Sequence, residues 1–156
     1  MEIILFEPEI PPNTGNIARL CAAAGVRLHL IEPLGFSLDD KHLKRAGLDY
    51  WPAVDVAVWP DWDSFARGPN GPRLVFTSAR RGRPLHRFNF QAGDGLVFGP
   101  ETRGLPPEIL DRHPDRIVNI PMVGPVRSLN LSTAAGIVLY EALRQAGELD
   151  DWTTRS

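Results

Sequence analysis

Short apolar runs alternate with segments of helical period along the chain. Ile3, Ile4, Leu5 and Phe6 form such a run, stopped by Pro8, Pro11 and Pro12; this predicts a buried strand followed by a rigid loop, because proline cannot donate to a sheet ladder. In residues 13–24, Ile17, Leu20, Cys21 and Ala24 recur at helical spacing, with Asn13 placed to cap the helix and Gly25 to stop it. Residues 26–31 return to strand, Val26, Leu28 and Leu30 alternating with Arg27 and His29. Asp39 and Asp40 open a second helix carrying Lys41, Lys44 and Arg45 and ending at Gly47. Further strands are predicted at 54–58, 74–77, 96–98 and 117–120, and short helices at 61–66 and 107–111. The longest helix, 130–145, puts Leu131, Ala134, Ala135, Val138, Leu139 and Ala142 on one stripe.

This alternation predicts an α/β protein with a mostly parallel sheet flanked by helices, where ligands sit beyond the carboxyl ends of strands. Three loops leave such ends: 7–16, 99–106 and 121–130. No repeat or linker interrupts the pattern, and Gly68-Pro69-Asn70-Gly71-Pro72 reads as a surface turn. Residues 1–156 are therefore expected to be a single domain, 43% hydrophobic content being enough for one core.

Composition narrows the function. Seventeen Lys and Arg against nineteen Asp and Glu give a net charge of -2, so any nucleic-acid contact has to be a local patch. Lys41, Lys44 and Arg45 near Tyr50 and Trp51 form one, suited to phosphate binding and base stacking, or else a solvated face. Cys21 stands alone among alanines, which excludes an intrachain disulfide and predicts a buried thiol in a reducing, cytoplasmic setting. The amino terminus has no positive region and meets Glu7 and prolines too soon for a signal peptide or membrane span. His29, His42, His86 and His113 are too scattered to predict a metal site. Gly93-Asp94-Gly95 precedes its strand and so reads as a turn, not a dinucleotide fingerprint. No serine lies in a nucleophile elbow.

Polar residues concentrate at the three strand ends. Asn13, Asn16 and Arg19, three apart, fall near one line of the first helix and can aim donors at one ligand; the alternative is a cap plus a surface arginine. Glu101, Thr102 and Arg103 lie in a loop where Gly99 allows close backbone approach and Pro100 and Pro106 restrict the shape, which predicts a preformed pocket wall. Arg127, Ser128, Asn130 and Ser132 open the long helix, where Ser128 could cap and Asn130 and Ser132 could bond to the local backbone.

Taken together, Pro8-Glu9-Ile10-Pro11-Pro12-Asn13-Thr14-Gly15-Asn16, the stretch 98–105, and Ile120-Pro121-Met122 with Ser128-Leu129-Asn130-Leu131-Ser132 resemble the three motifs of the SPOUT RNA ribose methyltransferases. Ile31-Glu32-Pro33-Leu34-Gly35-Phe36 and Arg45-Ala46-Gly47-Leu48-Asp49-Tyr50 resemble its TrmL group, which methylates the ribose of the anticodon wobble cytidine or uridine in tRNA. The resemblance implies S-adenosyl-L-methionine as methyl donor, a carboxy-terminal trefoil knot, and a homodimer with active sites at the subunit interface. It carries cofactor contacts onto Thr77, Gly99, Glu101, Gly104, Ile120, Met122, Ser128 and Leu129. Catalytic or substrate-side roles fall on Arg19, Asn13, Asn16, Glu101, Ser128 and Asn130, with Arg19 acting across the subunit boundary. RNA contact falls to Lys41, Lys44, Arg45 and Tyr50.

A guanidinium, with a pKa above about 12, is a difficult base. Arg19 is therefore expected to orient the target phosphate and stabilise a developing alkoxide, the proton leaving to a phosphate oxygen, to water or to a carboxylate such as Glu101. Methylation of another tRNA position or of ribosomal RNA, and non-catalytic RNA binding on the same fold, are the alternatives.

Overall fold

The computed structural model describes residues 1–47, 51–68 and 70–150. Its strands are β1 Glu2–Phe6, β2 Arg27–Ile31, β3 Val56–Trp59, β4 Leu74–Thr77, β5 Arg83–Pro84, β6 Gly95–Phe98 and β7 Ile117–Asn119. Between and after them lie helices α1 Pro11–Ala24, α2 Lys41–Gly47, α3 Trp62–Ala66, α4 Pro107–Leu110 and α5 Leu131–Gln145. The sheet order is β3-β2-β1-β6-β4-β7-β5, and every described pairing is parallel, in keeping with the mostly parallel sheet expected.

Because side chains alternate across a strand, β1 serves two cores. Ile3 and Leu5 join Leu28, Leu30, Leu96 and Phe98 against Ile17, Ala18 and Cys21 of α1 and Val138, Leu139 and Ala142 of α5. Ile4 and Phe6 join Ile31, Phe76 and Val97 against Phe65 of α3 and Ile109 and Leu110 of α4. Each fully buried side chain of this kind stabilises the fold by about 1.5–3 kcal/mol. Cys21 is buried in the first core, which pushes its thiol pKa up to about 12. Among the described residues no helix is long and apolar enough to cross a membrane.

Two local expectations are corrected. The first helix starts at Pro11, and its N-cap, Ile10, offers no side-chain acceptor; Asn13 is not the cap. Two prolines at the first helical positions supply a fixed φ and need no N–H partner, so they start the helix before the polar residue is reached. At the other end Gly25 stops it as read, in the left-handed region at φ 66. In β2 the alternation fails at His29, which is 4% exposed. A parallel strand covered on both faces has no solvent side, and a polar residue there must find partners.

His29 finds two. The Trp59 indole N–H donates to Nδ1 at 3.0 Å, and Nε2 lies 2.9 Å from Oε2 of Glu2. An indole is donor only, so Nδ1 must accept and the ring is the neutral tautomer with its proton on Nε2, donated to Glu2. Burial holds the His29 pKa below the ordinary value; the Glu2 carboxylate opposes this, Arg27 adds to it and Asp55 opposes it. Protonation would set a second donor against the indole. The unfolded chain therefore binds more protons than the native one once pH falls below about 6.5, and stability declines with falling pH through that window. We expect urea midpoints between about pH 6.5 and 5 to show wild type losing up to about 1.4 kcal/mol per pH unit more than His29→Gln. Parallel pH profiles for the two proteins would remove His29 as the cause.

Candidate active site

Strands β4, β6 and β7 end on a cavity of about 720 Å³, within the range of small-molecule cofactor sites. It is lined by Thr77, Gly99, Glu101, Gly104, Ile120, Met122, Ser128 and Leu129, so all eight cofactor positions carried over by resemblance meet in one place. Apolar walls from Leu105, Ile120, Met122, Leu129 and Val138 face polar groups from Ser78, Glu101, Ser128 and Asn130. That mixture fits a purine, a ribose and a thioether.

Loop geometry shapes the wall. Gly99 packs directly on the backbone of Gly104 and Leu105, where an added Cβ would overlap both. Gly104 closes the turn at φ 68, its N–H donating to the Pro100 carbonyl at 2.9 Å. The Thr77 hydroxyl is tied to the Val97 carbonyl at 2.9 Å, which fixes the end of β4 to β6.

The polar side of the cavity is one connected network. Oε2 of Glu101 accepts from the Glu9 amide at 2.8 Å and Oε1 from the Ile10 amide at 3.1 Å. A carboxylate from the second motif thus supplies, across the molecule, the acceptor missing at the start of α1. Asn130 is the N-cap of α5: its Oδ1 accepts from the Ser132 amide and hydroxyl at 2.9 and 2.6 Å and the Thr133 amide at 3.4 Å. That orients its amide, so Nδ2 donates to Oδ1 of Asn13 at 2.9 Å, and Asn13 Nδ2 points at Oε1 of Glu101, 3.5 Å away. Each link leaves the next only one orientation. All three of these partners of the Glu101 side chain are N–H donors.

A second clasp joins the same loops. Glu9 accepts at Oε1 from the Thr102 hydroxyl at 2.7 Å and amide at 3.1 Å. Those bonds, hydroxyl first, hold the Glu9 carboxyl below its ordinary pKa. Arg103 pairs with Glu7, a residue at φ 48 where only glycine is at ease.

Several sequence expectations change here. Asn13, Asn16 and Arg19 do not act as one line: Asn13 is buried at the cavity, whereas Asn16 and Arg19 are exposed on α1 and do not line it. Successive steps of three residues rotate a helix by about 60° each, enough to separate the first from the last. Asn130, not Ser128, caps α5, leaving Ser128 on the cavity. Lys41, Lys44 and Arg45 are exposed on α2, away from the cavity lining, and Tyr50 lies outside the described residues. Among the described residues no group of three His, Cys, Asp or Glu could hold a metal ion. Two things escaped the sequence reading: the capping role of Glu101, and Arg80 and Arg81 at the cavity mouth. The run Arg80-Arg81-Gly82-Arg83, close behind the strand that ends at Thr77, was the available signal.

The parallel α/β fold thus places one cofactor-sized cavity at its strand ends, walled by three loop motifs. The profile of the SpoU rRNA Methylase family matches residues 1–140, and the chain belongs to that family. A tRNA (cytidine(34)-2'-O)-methyltransferase of Saccharophagus degradans is 55% identical over 146 residues, 93% of this chain and 95% of that protein. A solved structure described as giving insight into the 2-OH methylation of C/U34 on tRNA superposes with a TM-score of 0.87 at 52% identity, covering 92% of this chain and 94% of that one. A SpoU methyltransferase from Streptomyces viridochromogenes in complex with AdoMet is similar with a TM-score of 0.79 at 28% identity, covering 93% of this chain and 60% of that one.

Proposed function

We propose that this protein transfers a methyl group from S-adenosyl-L-methionine to the ribose 2′-hydroxyl of the wobble cytidine or uridine of tRNA, working in the cytoplasm as a homodimer. The observation that carries this reading is the meeting of all eight cofactor positions around one cavity, bordered by the Glu101–Asn13–Asn130 network. The high identity to cytidine(34) methyltransferases over nearly the whole chain supports the substrate. Insertion of β6 between β1 and β4, and of β7 between β4 and β5, supports a knotted carboxy-terminal half.

When bound, the cofactor supplies a methyl group already activated as a sulfonium, so the protein's share of the work is placement. Apolar Leu105, Ile120, Met122 and Leu129 hold the flat and thioether parts while Gly99 and Gly104 keep the backbone close. Ser128 and Asn130 face the substrate side. Glu101 accepts from three N–H donors, which suits it to holding the first loop in place; the 2′-hydroxyl proton goes to a phosphate oxygen, to water or to a carboxylate such as Glu101. Arg19 orients the target phosphate and stabilises the developing alkoxide, and Lys41, Lys44, Arg45 and Tyr50 contact RNA.

The dimer is supported by what α5 leaves uncovered. Ile137 and Tyr140 are 39% and 44% exposed on one face of a helix that packs against α1, which carries Asn16 and Arg19. Covering these residues with a second copy would remove apolar surface from water and bring another chain's Arg19 near the cavity.

The deciding measurement incubates the purified protein with methyl-labelled S-adenosylmethionine and total tRNA and maps the product by mass spectrometry. Label on the ribose of residue 34 is the expected result. Label elsewhere would move the substrate assignment, and no label in RNA would overturn the reading.

A further inference from the structure

Beside the main cavity lies a smaller one of about 420 Å³, lined by Ala79, Arg80, Asn119, Ile120, Pro121, Met122, Val126 and Arg127. Ala79, Arg80, Ile120, Met122 and Arg127 also line the main cavity, so the two are neighbours that share a wall. Arginines crowd this mouth, but they are not equivalent. Arg81 is paired with Asp111 at 2.8 Å, and Arg103 with Glu7. Arg80 and Arg127 are exposed, and neither guanidinium has a hydrogen-bond or ion-pair partner among the described residues. Two cations line one small cavity without a carboxylate in its walls.

The turn that carries Arg80 is preformed. The Ser78 hydroxyl oxygen accepts from the amides of Arg80 and Arg81, both at 3.2 Å. The Ser78 amide donates to the Val118 carbonyl at 3.0 Å, and Asn119 Nδ2 donates to the Gly82 carbonyl at 3.1 Å. Gly82, at φ 104, packs so closely on Ile117 that a Cβ would overlap its carbonyl oxygen. The loop is therefore fastened to β7 at both ends, and Arg80 is presented from a fixed backbone.

We propose that Arg80 and Arg127 form an anion subsite that grips an RNA phosphodiester next to the target ribose, a second anchor distinct from the α2 patch. This rests on the methyltransferase reading above. Guanidinium forks suit a phosphodiester, and their planar donors position it as well as attract it. The shared lining places such a phosphate beside the ribose that must face the cofactor. The other anion within reach is the carboxylate of the cofactor's own methionine moiety, and the experiment separates the two.

Wild type and the Arg80→Gln/Arg127→Gln double variant are compared for binding to a fluorescein-labelled tRNA anticodon stem-loop across a salt series, with S-adenosylhomocysteine present. Cofactor affinity is measured by calorimetry, and methyl transfer supplies KM and kcat. We expect kcat/KM for RNA to fall by about 10- to 100-fold, chiefly through KM, and the slope of log K against log salt to flatten by about 0.7 for each phosphate released. Cofactor affinity lost with RNA KM unchanged would assign the pair to the methionine carboxylate and overturn the proposal. So would an unchanged salt slope. Wild type that binds RNA without methylating it would fail the parent reading alone, and the slope would still decide this one; wild type that does not bind RNA would overturn both.

Discussion

Glu101→Gln is expected to lower kcat by about 30- to 100-fold, equivalent to about 2–3 kcal/mol, although the substitution changes no volume. Glutamine has one acceptor oxygen where glutamate has two, and its NH₂ must face a donor. Either the Glu9 or the Ile10 amide, now at 2.8 and 3.1 Å from the carboxylate, then loses its partner. The start of α1 has no other side-chain cap. Hydrogen bonds to charged groups stabilise by about 1.5–3 kcal/mol each, so the urea midpoint should fall along with turnover. Asn13, which depends on Glu101 for its orientation, would be free to turn, and through it Asn130. The pH profile distinguishes positioning from proton transfer. A positioning carboxylate leaves the residual activity with the wild-type profile, whereas a catalytic base would take the corresponding limb of the profile with it. Wild-type stability and turnover in the variant would show that the network does not hold the site.

The same network explains how far the sequence could be read. Strands rich in Ile, Leu, Val and Phe declare themselves, and β4 and the body of α5 lie where periodicity puts them. β5 does not, because Arg83 and Pro84 have no apolar signal and pair only through β7. Helix ends were the weak point for a specific reason. Asparagine and serine near a helix start look the same whether they cap that helix or reach across to another loop. Asn13 reaches to Asn130 and Glu101, while Asn130 both caps α5 and reaches back. Nothing within either segment separates these cases; the partner is 117 residues away in the chain. The cavity lining was legible as a set of residues because the resemblance marked three separated segments, and the fold brings them to one cavity.

Arg19→Ala is expected to lower kcat/KM by about 100- to 1,000-fold, the loss typical of removing a preorganised donor to a developing oxyanion. Within one chain this makes little sense, since Arg19 is exposed on α1 and does not line the cavity. It makes sense if the arginine serves the cavity of a second copy, and subunit mixing tests that directly. Arg19→Ala chains keep their own cavity, and Asn130→Ala chains keep their Arg19 but lose the cap of α5 and the bond to Asn13. Each homodimer is then dead. In a heterodimer purified through two different tags, one site combines an intact cavity with an intact Arg19 from across the interface, and the other site has neither. Turnover should therefore recover to about half that of wild type. If Arg19 acts within its own chain, both sites of the heterodimer carry a lesion and mixing recovers nothing. Melting curves of the two parents show whether Asn130→Ala still folds; Ser128→Ala, which alters the cavity wall without touching a cap, is the second partner for the same experiment. Recovery with either partner places the working arginine on the neighbouring subunit, and its absence with both would return Arg19 to a role within one chain.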